Sequence, residues 1–412
     1  MSDGMVAVVG GGPAGLAAAI ELRRRGAGEV VVLEREAVAG GIARHAEHQG
    51  FGVRDLRRSL SGPAYARRYC ELARKAGVEV LTETMVTGWS GRALEVTGPH
   101  GRSTLEPAAV MLVTGCRERP RAARLVPGSR PAGVTTTGTL QQLVYGKGLP
   151  AGRRALVVGA EHVSFSAIIT LAHGGARTLA LTTELPRHAS LAAFRLGAAL
   201  RYRVPVWTRT RVSAIHGRER VERVELTDVD GGRVRQVACD TIVFSADWIP
   251  DHELAVMAGV ELDLGTRGPA VDPALRTSRE GVFAAGNLLH GAEQADVAAL
   301  SGRHAAAAVT RYLDDGAWPA ERVPIVCEPP LHWIAPNAVA PDPDPPPRGR
   351  FALRAYDFLR APRVEILQDR STLWTGRLAR LMPGRSTLIP HGWTARVEPG
   401  GGAIRVRLST RG

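Results

Sequence analysis

An apolar run, Val6-Ala7-Val8-Val9, leads straight into Gly10-Gly11-Gly12-Pro13-Ala14-Gly15 and then into an alanine- and leucine-rich stretch closed by Gly26. The glycines stand in the order G-x-G-x-x-G between a strand pattern and a helix pattern. Each has a separate physical task. Gly10 permits the tight turn, Gly12 lets the main chain approach a pyrophosphate with no Cβ in the way, and Gly15 lets the helix lie close on the strand. The helix N-terminus, entered through Pro13 and Ala14, then offers unpaired N–H groups and a partial positive charge to phosphate oxygens. The next strand, Val30-Val31-Val32-Leu33, ends at Glu34, 19 residues after Gly15, where a carboxylate accepts hydrogen bonds from an adenine ribose. This predicts a dinucleotide site on a Rossmann-like domain.

The pattern recurs. Pro63 to Ala76 reads as a helix, and strands are expected at 78–81, 93–97 and 109–113. A second strand, glycine turn, helix and strand follow at 155–158, 162–173 and 178–181. A hairpin is expected around Asp230-Gly231-Gly232, then a buried strand at 241–245 and a long alanine-rich helix over about 295–313. The expected fold class is α/β: two Rossmann-like domains, one inserted in the other, plus a small β-rich C-terminal region. The expected divisions are 1–118 with 270–318 for the first domain and 119–269 for the second. Residues 319–350, with prolines alternating with aspartate from Pro341, are expected to be a proline-rich connector, and 351–412 the β-rich piece.

Composition narrows the function classes. The formal charge of +13 rests on arginine, since only Lys75 and Lys147 are lysines, and the cations are scattered rather than gathered in one arm. No nucleic-acid partner is expected from such a spread. No apolar run is long enough for a membrane span, and Met1 to Val9 lacks the basic and cleavable segments of a signal peptide. Cys70, Cys116, Cys239 and Cys327 form no C-x-x-C pair, so a dithiol relay, a zinc ribbon and an iron–sulfur spacing are not expected, and no metal site is. This cysteine usage suits a reducing compartment, and a cytoplasmic location is expected.

Further motifs decide which dinucleotide. Gly40-Gly41 follows Glu34 closely, Val110-Met111-Leu112-Val113-Thr114-Gly115 is an apolar strand ending in Thr-Gly, and Gly281-Val282-Phe283-Ala284-Ala285-Gly286-Asn287 is a second strand entering a glycine turn. In this order they resemble the FAD flavoproteins with two dinucleotide-binding domains, the pyridine nucleotide–disulfide oxidoreductase superfamily, over about residues 5–313. The resemblance implies FAD as cofactor. It also implies a lining of Gly10, Gly12, Pro13, Ala14, Gly15, Glu34, Arg35, Gly41, Arg44, Val86, Thr114, Gly115, Gly286, Asn287 and Ala295. Asn287 stands where the family usually has Asp on the ribityl chain; an amide can still bond there, without the charge. Gln294, Ala295 and Asp296 open a helix that the family aims at the flavin pyrimidine ring. His45 and His48, after Gly40-Gly41 and Arg44, are weak candidates for a proton donor, with a loop-stabilising role the plainer expectation. Cys116 is expected to be a packed thiol, and Arg117, Glu118 and Arg119 a structural charge network.

A narrower likeness lies in Gly115 to Pro120, Gly138 to Gln141 and Gly159 to Ser164. These segments are similar to the flavoprotein subunits near opine oxidase and hydrogen cyanide synthase. They are more similar still to the NAD(FAD)-dependent dehydrogenases that accompany glycerol-3-phosphate dehydrogenase-like enzymes. The likeness implies a dehydrogenase partner subunit.

At the second turn, however, Gly159-Ala160-Glu161-His162-Val163-Ser164 keeps only the first glycine. A carboxylate at 161 repels a pyrophosphate by about 1–4 kcal/mol at short range, a roughly ten- to thousandfold loss of affinity. Thr182 stands where an acidic ribose ligand is expected, and Arg177 and Arg187 read as surface residues. NAD(P)H is therefore left doubtful. A retained scaffold and an altered nicotinamide site both stay open. The expected function is an oxidoreductase passing electrons through non-covalent FAD as a subunit of a dehydrogenase complex. A stand-alone NAD(P)H-dependent flavin oxidoreductase and a structural FAD subunit without turnover are the alternatives. The substrate is a small molecule of unknown identity.

Overall fold

The structure is a computed structural model, and it describes residues 4–190, 196–341 and 344–409. The chain divides into two compact units, one of residues 1–44, 49–116 and 250–412, the other of 45–48 and 117–249.

In the first unit a parallel sheet of five strands runs in the order Val282–Ala284, Ala109–Leu112, Val6–Val9, Val30–Leu33, Glu79–Leu81. Its inner strands are apolar along their whole length and buried on both faces, as parallel strands covered by helices must be. Burying each such valine or leucine contributes about 1.5–3 kcal/mol. The helices Pro13–Arg24 and Ala295–Asp315 pack together so closely that a Cβ at Gly302 would lie 2.0 Å from the carbonyl oxygen of Ala14. The helix Gly62–Lys75 is capped by Ser61, whose hydroxyl accepts from the Ala64 amide at 3.4 Å, and it turns Tyr65, Ala66, Tyr69 and Ala73 into the core. An antiparallel ribbon of three strands, Met85–Ser90, Ala93–Gly98 and Gly101–Leu105, completes this part.

The second unit repeats the plan. Its parallel sheet of five strands runs Val134–Thr136, Thr241–Phe244, Arg154–Val158, Arg177–Thr182, Val206–Trp207. It also carries a three-stranded ribbon, Thr210–His216, Arg223–Asp228 and Val234–Ala238, turned at Gly231 and Gly232, both with positive φ. The helix His162–His173 follows the second glycine turn.

Two boundaries fall elsewhere than the sequence predicts. The chain re-enters the first unit at residue 250 rather than 270. Ala255, Ala258 and Val260 are buried in the first core, and the Trp89 indole donates to the Leu254 carbonyl at 2.9 Å. The segment 319–350 is no extended connector either. Val323–Cys327, Leu331–Ala335 and Ala338–Val339 are strands, and they pair with one another and with strands beyond residue 350. Val323, Ile325, Leu331, Ile334 and Val339 share one core with Phe351, Leu353, Ile366 and Trp393. Residues 342 and 343, in the proline-aspartate run, lie outside the described residues. The C-terminal β module thus begins near Val323, with a sheet of five strands and another of three.

Candidate functional site

The first glycine turn forms a cradle whose shape follows from the missing side chains. Gly10 has φ +117°, and a Cβ there would strike the Val113 carbonyl oxygen at 2.6 Å. At Gly15 a Cβ would lie 1.9 Å from the Gly10 oxygen. Gly12 differs: its backbone is extended, and the nearest atom to a Cβ is Gly41 Cα at 3.9 Å. A Cβ at Gly12 would therefore make only an ordinary van der Waals contact, while Gly10 and Gly15 are consumed by the fold itself. Gly286, at φ +71°, brings the second turn against the first, since its Cβ would meet that of Ala14 at 2.7 Å.

Glu34 is buried at the end of its strand, with one carboxylate oxygen accepting from the Gly11 amide at 2.9 Å and the other from the Glu36 amide at 2.9 Å. Glu36 pairs with Arg44, whose Nε is buried with no hydrogen-bond partner. Arg35 is exposed. The Thr84 amide, two residues before Val86, donates to the Glu34 main-chain carbonyl at 2.9 Å; the Val86 side chain itself is buried. The Thr114 hydroxyl donates to the Asp251 carbonyl at 2.7 Å, and Gly115 is open, with no atom within 4 Å of a Cβ there. Asn287 forms two bonds with residue 293: its Nδ2 donates to the Glu293 carbonyl at 3.2 Å, and its Oδ1 accepts from the Glu293 amide at 2.9 Å. Ala295 opens the long helix behind Gln294, whose side chain makes no cap bond.

These contacts bring Gly10, Gly12, Pro13, Ala14, Gly15, Glu34, Gly41 and Gly286 together at the first glycine turn, with Arg44 joined to them through Glu36. His45 and His48 group with the second unit, where a Cβ at Gly146 would lie 4.0 Å from His45 Nδ1.

Sequence patterns missed a second ring of residues. The Arg54 amide and guanidinium both donate to Asp296, each at 3.1 Å, which ties the segment after Gly50 to the first turn of the long helix. Asp55 beside it accepts from Tyr65 at 2.6 Å and Tyr69 at 2.7 Å. Burial raises both phenols, so they remain donors at every working pH. Arg54 and Asp296 stand 242 positions apart, so no local spacing signals the pair. Glu36 was within reach of sequence reasoning, as a second carboxylate two residues beyond Glu34.

The second glycine turn carries its own helix cap. Glu161 is the N-cap of the helix His162–His173 and forms a reciprocal capping box with Ser164. The Ser164 hydroxyl accepts from the Glu161 amide at 3.2 Å and donates to Ser245 at 3.0 Å. A carboxylate of the chain itself thus complements the partial positive charge that a phosphate would otherwise meet. Thr182 is fully buried, and its hydroxyl has no hydrogen-bond partner. Glu118 is structural, accepting from the Gly138 amide at 2.8 Å and the Ala246 amide at 3.1 Å. Burial is the main influence on it and raises its carboxyl.

None of the cysteines forms a disulfide among the described residues. Burial pushes the thiols of Cys70 and Cys327 up, and that of Cys239 to about 11, so thiolate chemistry at neutral pH is disfavoured. No group of three metal-ligating side chains occurs, and no helix is long and apolar enough to cross a membrane, among the described residues.

Two histidines at the C-terminal module give a pH signature. Burial pushes His290 down to about 4, with Glu293 opposing and Arg354 adding to the shift. Burial, then Arg354 and Arg267, push His332 to about 4 as well. Both are neutral when folded, against an unfolded value of about 6.5. As pH falls from 6.5 towards 4 the unfolded chain takes up protons that the folded chain refuses, and stability is lost. Thermal melts should show Tm falling across that window, and His332→Gln should shrink the fall. An equal fall in the variant would rule out His332 as a source.

Two dinucleotide-binding folds, the first with a glycine turn of this kind, define an FAD-dependent oxidoreductase of the two-domain kind. The profile of the pyridine nucleotide-disulphide oxidoreductase family matches residues 4–302, and the chain belongs to that family. Among curated proteins it is 29% identical over 338 residues to an opine oxidase subunit of Agrobacterium tumefaciens (strain Ach5), which covers 74% of this chain and 65% of that one. It is 26% identical over 321 residues to the ferredoxin–NADP reductase of Ignicoccus hospitalis (strain KIN4/I / DSM 18386 / JCM 14125), covering 76% of this chain and 98% of that one. The chain thus spans slightly under two thirds of the opine oxidase polypeptide. Among solved structures, T. acidophilum thioredoxin reductase superposes with a TM-score of 0.62 at 21% identity, covering 77% of this chain and all of that one. At that identity the likeness speaks for the fold.

Proposed function

We propose that the protein passes electrons through a non-covalent FAD as one subunit of a dehydrogenase complex, without NAD(P)H as its direct reductant. The observation that carries this reading is the capping box of Glu161 and Ser164. It fills the helix N-terminus of the second domain with a carboxylate of the chain itself, and Glu161 stands where close phosphate approach needs glycine.

The first domain fits FAD. A Cβ at Gly12 would meet no atom closer than 3.9 Å, and Arg44 Nε is a buried donor with no partner. Gly10, Gly12, Pro13, Ala14 and Gly15 would hold the pyrophosphate, with Glu34 and the backbone near Val86 at the adenosine end. Arg35 and Arg44 would flank that end, and Gly41, Thr114, Gly115, Gly286, Asn287 and Ala295 would line the rest. FAD, when bound, supplies two-electron transfer, which no side chain here provides. The first turn of the long helix orients amide dipoles and favours negative charge nearby. The name of the opine oxidase subunits supports the idea of a partner chain.

Anaerobic mixing of the FAD-loaded protein with NADH and with NADPH tests the reading. The flavin should stay oxidised over minutes with both, and Glu161→Gly should make reduction measurable. Rapid bleaching of the unaltered protein would overturn it in favour of a stand-alone NAD(P)H-dependent reductase. That second reading draws support from the near-full coverage of the ferredoxin–NADP reductase. A complex that keeps full activity after flavin removal would favour the structural role without turnover.

A further inference from the structure

We infer that the C-terminal β module is a latch on the FAD site, acting through Glu293 as a positioning residue. The inference rests on the FAD reading above and adds what governs cofactor retention.

The loop from Gly286 to Gln294 joins the second glycine turn to the long helix. Its first half is held by the core: Leu288 and Leu289 are buried, and a Cβ at Gly268 would lie 2.4 Å from the Leu288 oxygen. Its second half is held by the C-terminal module. The His290 ring stacks on Trp333, with centroids 4.7 Å apart and planes at 24°. The Arg354 guanidinium lies 4.7 Å from the Trp333 ring centre and donates to Glu293 at 3.4 Å and to Ser386 at 3.2 Å. Ser386 in turn hydrogen-bonds the same Glu293 oxygen. Arg354 is only 7% exposed, so its charge depends on this partner rather than on water.

Glu293 carries the hold inwards. Its amide and carbonyl grip both ends of the Asn287 side chain. Only an amide closes that ring, because it donates and accepts at once, whereas a carboxylate only accepts. Asn287 directly follows Gly286, which packs on Ala14 of the cradle. Ser386 and Arg354, Glu293, Asn287 and the cradle thus form one connected chain of contacts. This gives Asn287, in place of the aspartate usual in the family, a reason of its own: it ties the loop.

The test is FAD titration of the full-length apoprotein, with apoprotein melting temperature as a second readout. Arg354→Met and Asn287→Asp should each weaken FAD binding about tenfold or more, while the apoprotein Tm of Asn287→Asp shifts by no more than about 3 °C. The double variant should lose less than the sum of the two, because both act on one chain of contacts. Glu365→Gln, within the same module but bonded to Arg407 and Ser409, should bind FAD as the unaltered protein does. FAD affinities of Arg354→Met and Asn287→Asp both within about twofold of the unaltered protein would overturn the latch. If Arg354→Met does not fold, Ser386→Ala, which removes the module's other contact to Glu293, decides in its place. An unaltered protein that ignores FAD would instead overturn the proposed function.

Discussion

Replacing Gly12 by valine is expected to give a folded protein that purifies without colour. The argument rests on the difference between three glycines of one motif. Gly12 has φ −79°, which any residue adopts, and its Cβ would meet nothing closer than 3.9 Å. The fold therefore accepts a side chain there, but the branched valine fills the space over the cradle. Loss of the close backbone approach should weaken FAD binding by at least about a thousandfold, or roughly 4 kcal/mol. The ratio of flavin to protein absorbance measures the first effect, and far-ultraviolet circular dichroism the preserved fold. Gly15→Ala should behave in the opposite way. Its Cβ would lie 1.9 Å from the Gly10 carbonyl oxygen, so the helix must move off the strand and the apoprotein itself loses stability. A yellow Gly12→Val protein would place the cofactor somewhere other than this turn.

The second large effect concerns stability. Asp272 is fully buried and Arg276 is 7% exposed; the guanidinium donates to the carboxylate at 2.7 Å, and the Arg276 amide adds a bond at 3.0 Å. Asp272→Leu removes both acceptors and takes this carboxylate away from a buried cation. Breaking a buried pair from one side costs about 3–5 kcal/mol. Thermal denaturation should show a Tm lowered by several degrees or more. Changing both partners together, Asp272→Leu with Arg276→Met, should recover part of the loss, because the buried cation is removed with its carboxylate. A double variant no better than the single would show that the backbone bond to the Arg276 amide matters more than the ion pair.

Much of the fold could be read in the chain because its signals are local. The runs Val6–Val9, Val30–Leu33 and Ala109–Leu112 are apolar throughout, and the glycines of the first turn sit at fixed offsets from them. The hairpin at Gly231-Gly232 and the long helix from Ala295 were equally plain. What was not legible depends on distant parts of the chain. The prolines between 319 and 350 suggested an extended connector, yet Pro324 sits exposed within a strand whose other face, Val323 and Ile325, is buried. Alternation over five residues is too short to outweigh proline content. The grouping of His45 and His48 with the second unit, the Arg54–Asp296 pair and the Glu293 network all arise from contacts made only in the folded chain. Glu161 is the opposite case: the sequence alone shows a carboxylate in place of the second glycine, and the structure adds the capping box it forms with Ser164.

The central sheet of the first unit also bears on synthesis. Its edge strand Val282–Ala284 pairs with Ala109–Leu112, and the helix Ala295–Asp315 covers Pro13–Arg24. Residues 117–249 of the other unit must be made between the two halves of this domain. At roughly 5–20 residues per second the early half waits on the order of ten seconds or longer with its apolar flank uncovered. Chaperone binding to nascent chains should therefore concentrate in that interval, and flavin loading belongs after it.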